Sequence, residues 1–253
     1  MQIIAAIGGL AFILTSLITG ARMLMLWNRT RQLPEFVLGA GLFMMGGLGY
    51  PLTLLAEFGA FLPDGARSAL VGANYLNTIF GQILVVFFTI RVFRPTSRWA
   101  RGSLFVIAGL FAAIFVNHVV THGVRPVALG GAHAPIAQTL LTVLCLGWAG
   151  LESFLYYLKL RRRRVIGLAD PLLVNRILLW AIGMACAATI TGVSAAFTAL
   201  GIPFNQSTVG ILTTGVMGTG CSLSVWFAFF GPGWYVRWVR SGAGPVDGHQ
   251  VAA

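Results

Sequence analysis

His118 and His122 stand one helical turn apart in a run that also holds Asn117 and Thr121, so both imidazoles share one face of any helix formed there. Two imidazoles at that spacing, joined by a third His or a carboxylate, make a ligand set for Zn2+ or Cu2+. His133 follows in the next connection and would complete the metal set His118, His122 and His133. Glu57, Asp64, Asn74, Tyr75, Asn77 and Gln138 flank apolar segments at the same level. The group Glu57, Asn74, Asn77, Asn117, His118, His122 and Gln138 would alternatively bind a small polar ligand or respond to acid pH. The plain alternative, which carries more weight, is a set of solvated histidines at headgroup depth. The Glu of the H-E-x-x-H zinc-peptidase pattern is absent.

A second site of interest is Glu152, the one carboxylate deep in an apolar run. An ionised Glu there is costly unless it is paired or hydrated. Arg22 and Arg176 are the expected partners, in a structural or gating ion pair near one membrane interface. A third is Pro51, which closes a run containing Gly39, Gly41, Gly46, Gly47 and Gly49. Small residues let helices approach closely, and Pro51 cannot donate to the carbonyl of Gly47. The expectation is a kinked, tightly packed helix, with a moving hinge as the functional reading. Gly210, Gly215, Gly218 and Gly220 mark a second closely packed segment.

The elements that position these residues are seven apolar runs centred on residues 3–21, 36–56, 68–90, 103–124, 134–151, 177–200 and 207–230. Each is long enough to cross a bilayer as a helix, which takes roughly 20 apolar residues. The chain is 57% hydrophobic and 9% charged, whereas a soluble domain carries about 25% charged residues. Fifteen of the 17 basic residues fall at one end of the seven segments. Arg22, Arg29 and Arg31 follow the first, and Arg91, Arg94, Arg98 and Arg101 the third. Lys159, the run Arg161 to Arg164, and Arg176 lie between the fifth and sixth. Arg237 and Arg240 follow the seventh, leaving Arg67 and Arg125 at the other end. The positive-inside rule then predicts an outer N-terminus and a cytoplasmic C-terminus. The expected architecture is an all-α seven-helix transmembrane domain over residues 1–240, with a disordered cytoplasmic tail over 241–253.

The net charge of +11 sits in short connections beside helix ends, where it contacts anionic headgroups rather than nucleic acid. The basic connection between the fifth and sixth segments is a candidate surface for a cytoplasmic protein partner, and an oligomer is compatible with the pattern. No basic n-region precedes the first segment, which reads as a retained helix in a bacterial inner membrane. Cys145, Cys186 and Cys221 all lie inside apolar segments and read as small packing residues.

Seven helices with an outer N-terminus resemble the microbial rhodopsins in outline. That resemblance implies a retinal-bearing lysine in the middle of the seventh helix. The one lysine here is Lys159, at the end of the fifth segment, so covalent retinal is excluded. Membrane hydrolases with three His ligands carry their HxxxH on the last helix, and here it is on the fourth. The runs Phe93, Arg94, Pro95, Trp99 and Phe230, Gly231, Pro232, Trp234 leave the third and seventh segments alike. Proline also follows the basic stretches at Pro34 and Pro171. A parallel repeat of segments 1–3 and 5–7 around a linking fourth resembles the SWEET sugar carriers in plan. These resemblances are architectural and cover no motif. The leading expectation is a receptor-like protein that binds a small ligand, proton or ion at the outer polar group and signals to a cytoplasmic partner. A small uniporter-type carrier is the alternative, and an intramembrane metal-dependent enzyme a third; an enzymatic role is the weaker expectation.

Overall fold

A computed structural model of the chain describes residues 2–129, 135–204 and 207–241. Among these residues every regular element is helical. Seven helices are long and apolar enough to span a membrane, which makes this an integral membrane protein of all-α architecture. They are α1 (Gln2–Thr30), α2 (Leu33–Phe58), α3 (Asp64–Phe93), α4 (Arg98–His122), α5 (Ile136–Val165), α6 (Pro171–Ala199) and α7 (Thr208–Phe230). An eighth helix, α8, runs from Gly233 to Ser241. The connections after α1, α3, α5 and α7 define the basic end of the bundle.

Polar residues in the connections start the helices. Ser97, Asp170 and Ser207 accept the backbone N–H groups of Ala100, Leu172 and Gly210, satisfying donors that have no partner inside the helix. Proline occupies the first turn of α2 and α6, where its missing N–H costs nothing. Helix α1 continues past Arg22 and Arg29, because nothing halts it before Arg31, whose φ of 58° turns the chain.

Neighbouring helices pack in a closed ring. α1 packs on α2 and α7, α2 on α3, α3 on α5, α5 on α6, and α6 on α7. α4 lies outside this ring against α3 and α5, with Phe105, Val106, Leu110, Val116 and Val120 exposed. Glycine makes two crossings close. A Cβ on Gly20 would meet the Gly39 carbonyl oxygen at 2.9 Å, and one on Gly8 would meet that of Gly215 at 3.0 Å. The core at the basic half is Leu38, Leu42, Val85, Leu146, Ala149, Trp180, Met184 and Val225. A second cluster, including Ile79, Val86, Phe111 and Leu141, joins α3, α4 and α5.

Two elements depart from the sequence expectation. α2 is α-helical to Leu42, a π-helix from Phe43 to Gly49, and α-helical again from Tyr50 to Phe58. The proline effect expected at Pro51 alone is thus spread over the seven residues before Tyr50. Widening the turns before Pro51 accommodates its ring and its missing N–H. The stretch of aromatic and arginine residues after α7, for which the sequence predicts no separate element, forms α8 beyond Gly231 and Pro232. The tail 242–253 and His133 lie outside the described residues.

Candidate functional site

The polar residues grouped from the sequence separate into three places. The first is the meeting of α3 and α4. His118 is buried, its Nε2 lies 3.0 Å from the Tyr75 hydroxyl, and its ring stacks on that of His122 at 5.2 Å. The Thr121 hydroxyl lies 2.6 Å from Nδ1 of the exposed His122. The pairing of His118 and His122 on one face is as the spacing predicts. Among the described residues no group of three or more His, Cys, Asp and Glu assembles for a metal ion. Asn117 is exposed, and its backbone carbonyl, not its side chain, is bonded, by Thr121 at 2.7 Å.

The second place is the turn between α2 and α3. Glu57 accepts the backbone N–H of Val127 at 3.0 Å, tying the end of α2 to the connection after α4. Arg67 is buried and donates to the carbonyls of Ala56 and Glu57, each at 2.8 Å. These are carbonyls in the last turn of α2, which has run out of helical donors there. Gln138, in the first turn of α5, is buried with its side-chain oxygen unpartnered.

The third place is a cavity of about 230 Å3 in the middle of the ring. All six ring helices line it, through residues that include Phe12, Gly49, Asn74, Gln82, Thr142, Thr191 and Thr214. It occupies the half of the bundle away from the basic end. Of the residues grouped from the sequence, Asn74 alone lines it. Asn74 donates to the Thr53 hydroxyl at 2.9 Å and accepts from Thr78 at 3.4 Å. Asn77, one turn from the cavity wall, donates instead to the Met44 carbonyl in the π-helical section. The wall carries hydroxyl, amide and thiol groups but no Asp, Glu, Lys, Arg or His. The buried cluster that includes Leu38, Val85, Ala149, Trp180 and Val225 lies further towards the basic end of the same helices, and its member Leu146 lines the cavity.

Gln82 is the cavity residue that sequence reasoning missed. It is 1% exposed and its Oε1 has no hydrogen-bond partner. A buried, unpaired amide oxygen costs about 1–3 kcal/mol. The available signal was a glutamine near the middle of an otherwise apolar run, isolated from the cluster at the segment ends.

Glu152 requires a correction. Its partner is neither Arg22 nor Arg176 but Arg94, whose Nε lies 3.0 Å from both carboxylate oxygens. Trp148 adds a bond from Nε1 at 3.3 Å. The ring order is the reason: α3 is the neighbour Glu152 faces, and Arg94 ends α3. Arg22 instead lies over the Phe230 ring at 4.4 Å, across the bundle. Arg176 sits near Tyr235 on α8. Burial pushes the Tyr235 phenol above its ordinary pKa, with Asn175 and Arg176 offsetting this in part, so it stays neutral.

No protein-family model matches the chain, and neither a curated protein nor a solved structure shows significant similarity to it. The molecule is defined by its architecture, a seven-helix membrane bundle with an uncharged, mainly apolar central cavity that carries a few hydroxyl and amide groups.

Proposed function

We propose that this chain is a receptor-like seven-helix membrane protein that takes a small uncharged polar ligand into the central cavity and signals to a partner at its basic end. Gln82 carries the reading: its side chain lines a cavity of about 230 Å3, and its buried amide oxygen has no hydrogen-bond partner among the described residues. That exceeds the roughly 150 Å3 engineered cavity that holds benzene, so a single-ring or short-chain molecule fits. The ligand presents a hydrogen-bond donor to Gln82 and carries no net charge, because no ionised wall residue is present to pair with it. The buried apolar cluster on the basic side of these wall residues supports a cavity with an apolar floor, which suits a receptor. In the proposed setting, a bacterial inner membrane, the charge asymmetry supports an outer N-terminus and an outward-facing cavity.

The ring order favours a second reading, a uniporter-type carrier. Half a turn about the bundle axis exchanges α1 with α5, α2 with α6 and α3 with α7 in the neighbour order, leaving α4 outside. This supports a parallel repeat in which the floor opens during transport.

The test is a thermal-shift screen of the purified protein with small alcohols, amides and ureas against charged analogues. Uncharged donors are expected to raise the Tm of the wild type and to leave Gln82→Leu unmoved. Stabilisation by charged compounds alone, or an undiminished response in Gln82→Leu, would refute the cavity as the site. A hit that crosses proteoliposome membranes at a protein-dependent rate decides for the carrier.

A further inference from the structure

The helix α8 is the most amphipathic in the molecule, and its three faces have different chemistry. Tyr235 and Val239, four residues apart, are buried and pack on Leu172 at the start of α6. Trp234 and Trp238, also four apart, are 59% and 66% exposed. Arg237 and Arg240 project on the remaining side, away from the buried face. The break at Gly231 and Pro232 places this helix directly at the membrane end of α7. It cannot lie far from the level where hydrocarbon gives way to headgroups.

We propose that α8 lies in the membrane–water interface and forms, with Arg176, a binding surface for the phosphates of anionic lipid headgroups. The two tryptophans match the boundary: a ring that is apolar and bears one N–H is most stable at headgroup depth. Arg237 and Arg240 supply the charge complement, and a guanidinium engages phosphate oxygens two at a time. Arg176, exposed near the start of α6, adds a third cation close to the Tyr235 phenol. The nearby carboxylate of Asp170 is occupied in capping the Leu172 N–H at 3.1 Å. A hydrogen bond from the Asn175 amide to the Tyr235 hydroxyl ties the surface to the bundle. Headgroup binding at α8 therefore bears on the first turn of α6, a wall helix of the central cavity.

Backbone hydrogen exchange of the full chain in lipid nanodiscs tests this, reading residues 233–241. Discs containing phosphatidylglycerol are compared with discs of phosphatidylcholine alone. Two arginines near an anionic surface are expected to slow α8 exchange by about 30-fold in the anionic discs at low salt. High salt should remove that difference. Arg237→Gln with Arg240→Gln should lose it, while Arg237→Lys with Arg240→Lys keeps most of it. If the glutamine pair does not fold, the salt titration of the wild type and the lysine pair decide. Exchange that ignores lipid charge would overturn the proposal, as would full lipid dependence in the glutamine pair. Equal protection by inorganic phosphate in neutral discs would assign the surface to free phosphate and overturn the lipid assignment. If the surface serves an acidic protein partner rather than lipid, α8 stays equally unprotected in both discs, which also overturns the lipid assignment.

Discussion

Gln82 and Glu152 are two buried polar side chains settled in opposite ways. Glu152 has two donors, from Arg94 and Trp148, while the Gln82 oxygen has none. Replacing Gln82 with leucine removes an unpaired group, so without ligand Gln82→Leu should match or exceed the wild type, by up to about 1–2 kcal/mol. A lower Tm by calorimetry would mean that the amide has a partner in the working protein. For Glu152 the partner matters more than the depth. Arg94 is 41% exposed, so water screens the pair and its loss is mild. Glu152→Gln is expected to cost under about 1 kcal/mol, and Glu152→Lys about 2–4, because it sets a second cation beside Arg94 at a position where the Glu152 side chain is only 10% exposed. Folded yield in detergent measures the difference; equal yields would place Glu152 in water. That Glu152 needs a cation was legible in the sequence. Which arginine supplies it was not, since that depends on α3 and α5 being neighbours across 58 residues of chain.

At the scale of elements, the widened section of α2 forms part of the cavity wall through Met45 and Gly49. Its geometry is held from outside: Asn77 donates to the Met44 carbonyl, and Gly46 lies against Ser16 so closely that a Cβ has no room. Asn77→Leu removes that bond between helices, and a loss of about 0.5–1.5 kcal/mol is expected. Pro51→Ala restores an N–H to the helix and should draw Phe43–Gly49 towards α-helical turns. Labelling of a cysteine placed at Asn74, on the facing wall, is expected to change rate. An unchanged rate in Pro51→Ala would leave the glycines as packing residues alone. Pro51 and the glycines announced an irregular helix, but the length of the π section was illegible, because Asn77 and Ser16 fix it from other helices. The helix α8 was hidden for another reason: nine residues are too few for periodicity to separate them from an ordinary aromatic interface.

The whole molecule was the most legible level, because apolar length and the placement of arginine are read without knowing any contact. The seven spans found in the structure contain the seven apolar runs apart from short terminal overhangs. The cavity was illegible, since six helices contribute to it and each supplies a few unremarkable residues. Orientation is tested directly by reporters active only in the cytoplasm. Fusions after Arg164 or Arg240 should be active, and those after Asp64 or His133 silent. Activity at Asp64 would invert the bundle and with it the direction in which the cavity faces.

Arg67 has a consequence for how the chain is made. It is one of two basic residues on the side that the other fifteen avoid, and under the proposed orientation, with the N-terminus outside, a lone cation there resists export. Its guanidinium instead closes the tip of the α2–α3 pair by holding the carbonyls of Ala56 and Glu57. Those bonds exist only once the two helices lie side by side. Biogenesis then favours insertion of α2 and α3 as one hairpin, its arginine crossing already bonded, over threading one helix after the other. Nascent chains halted within α3 shortly past Arg67 should insert less completely than chains halted past the end of α3, and Arg67→Ala should raise the yield of the shorter ones.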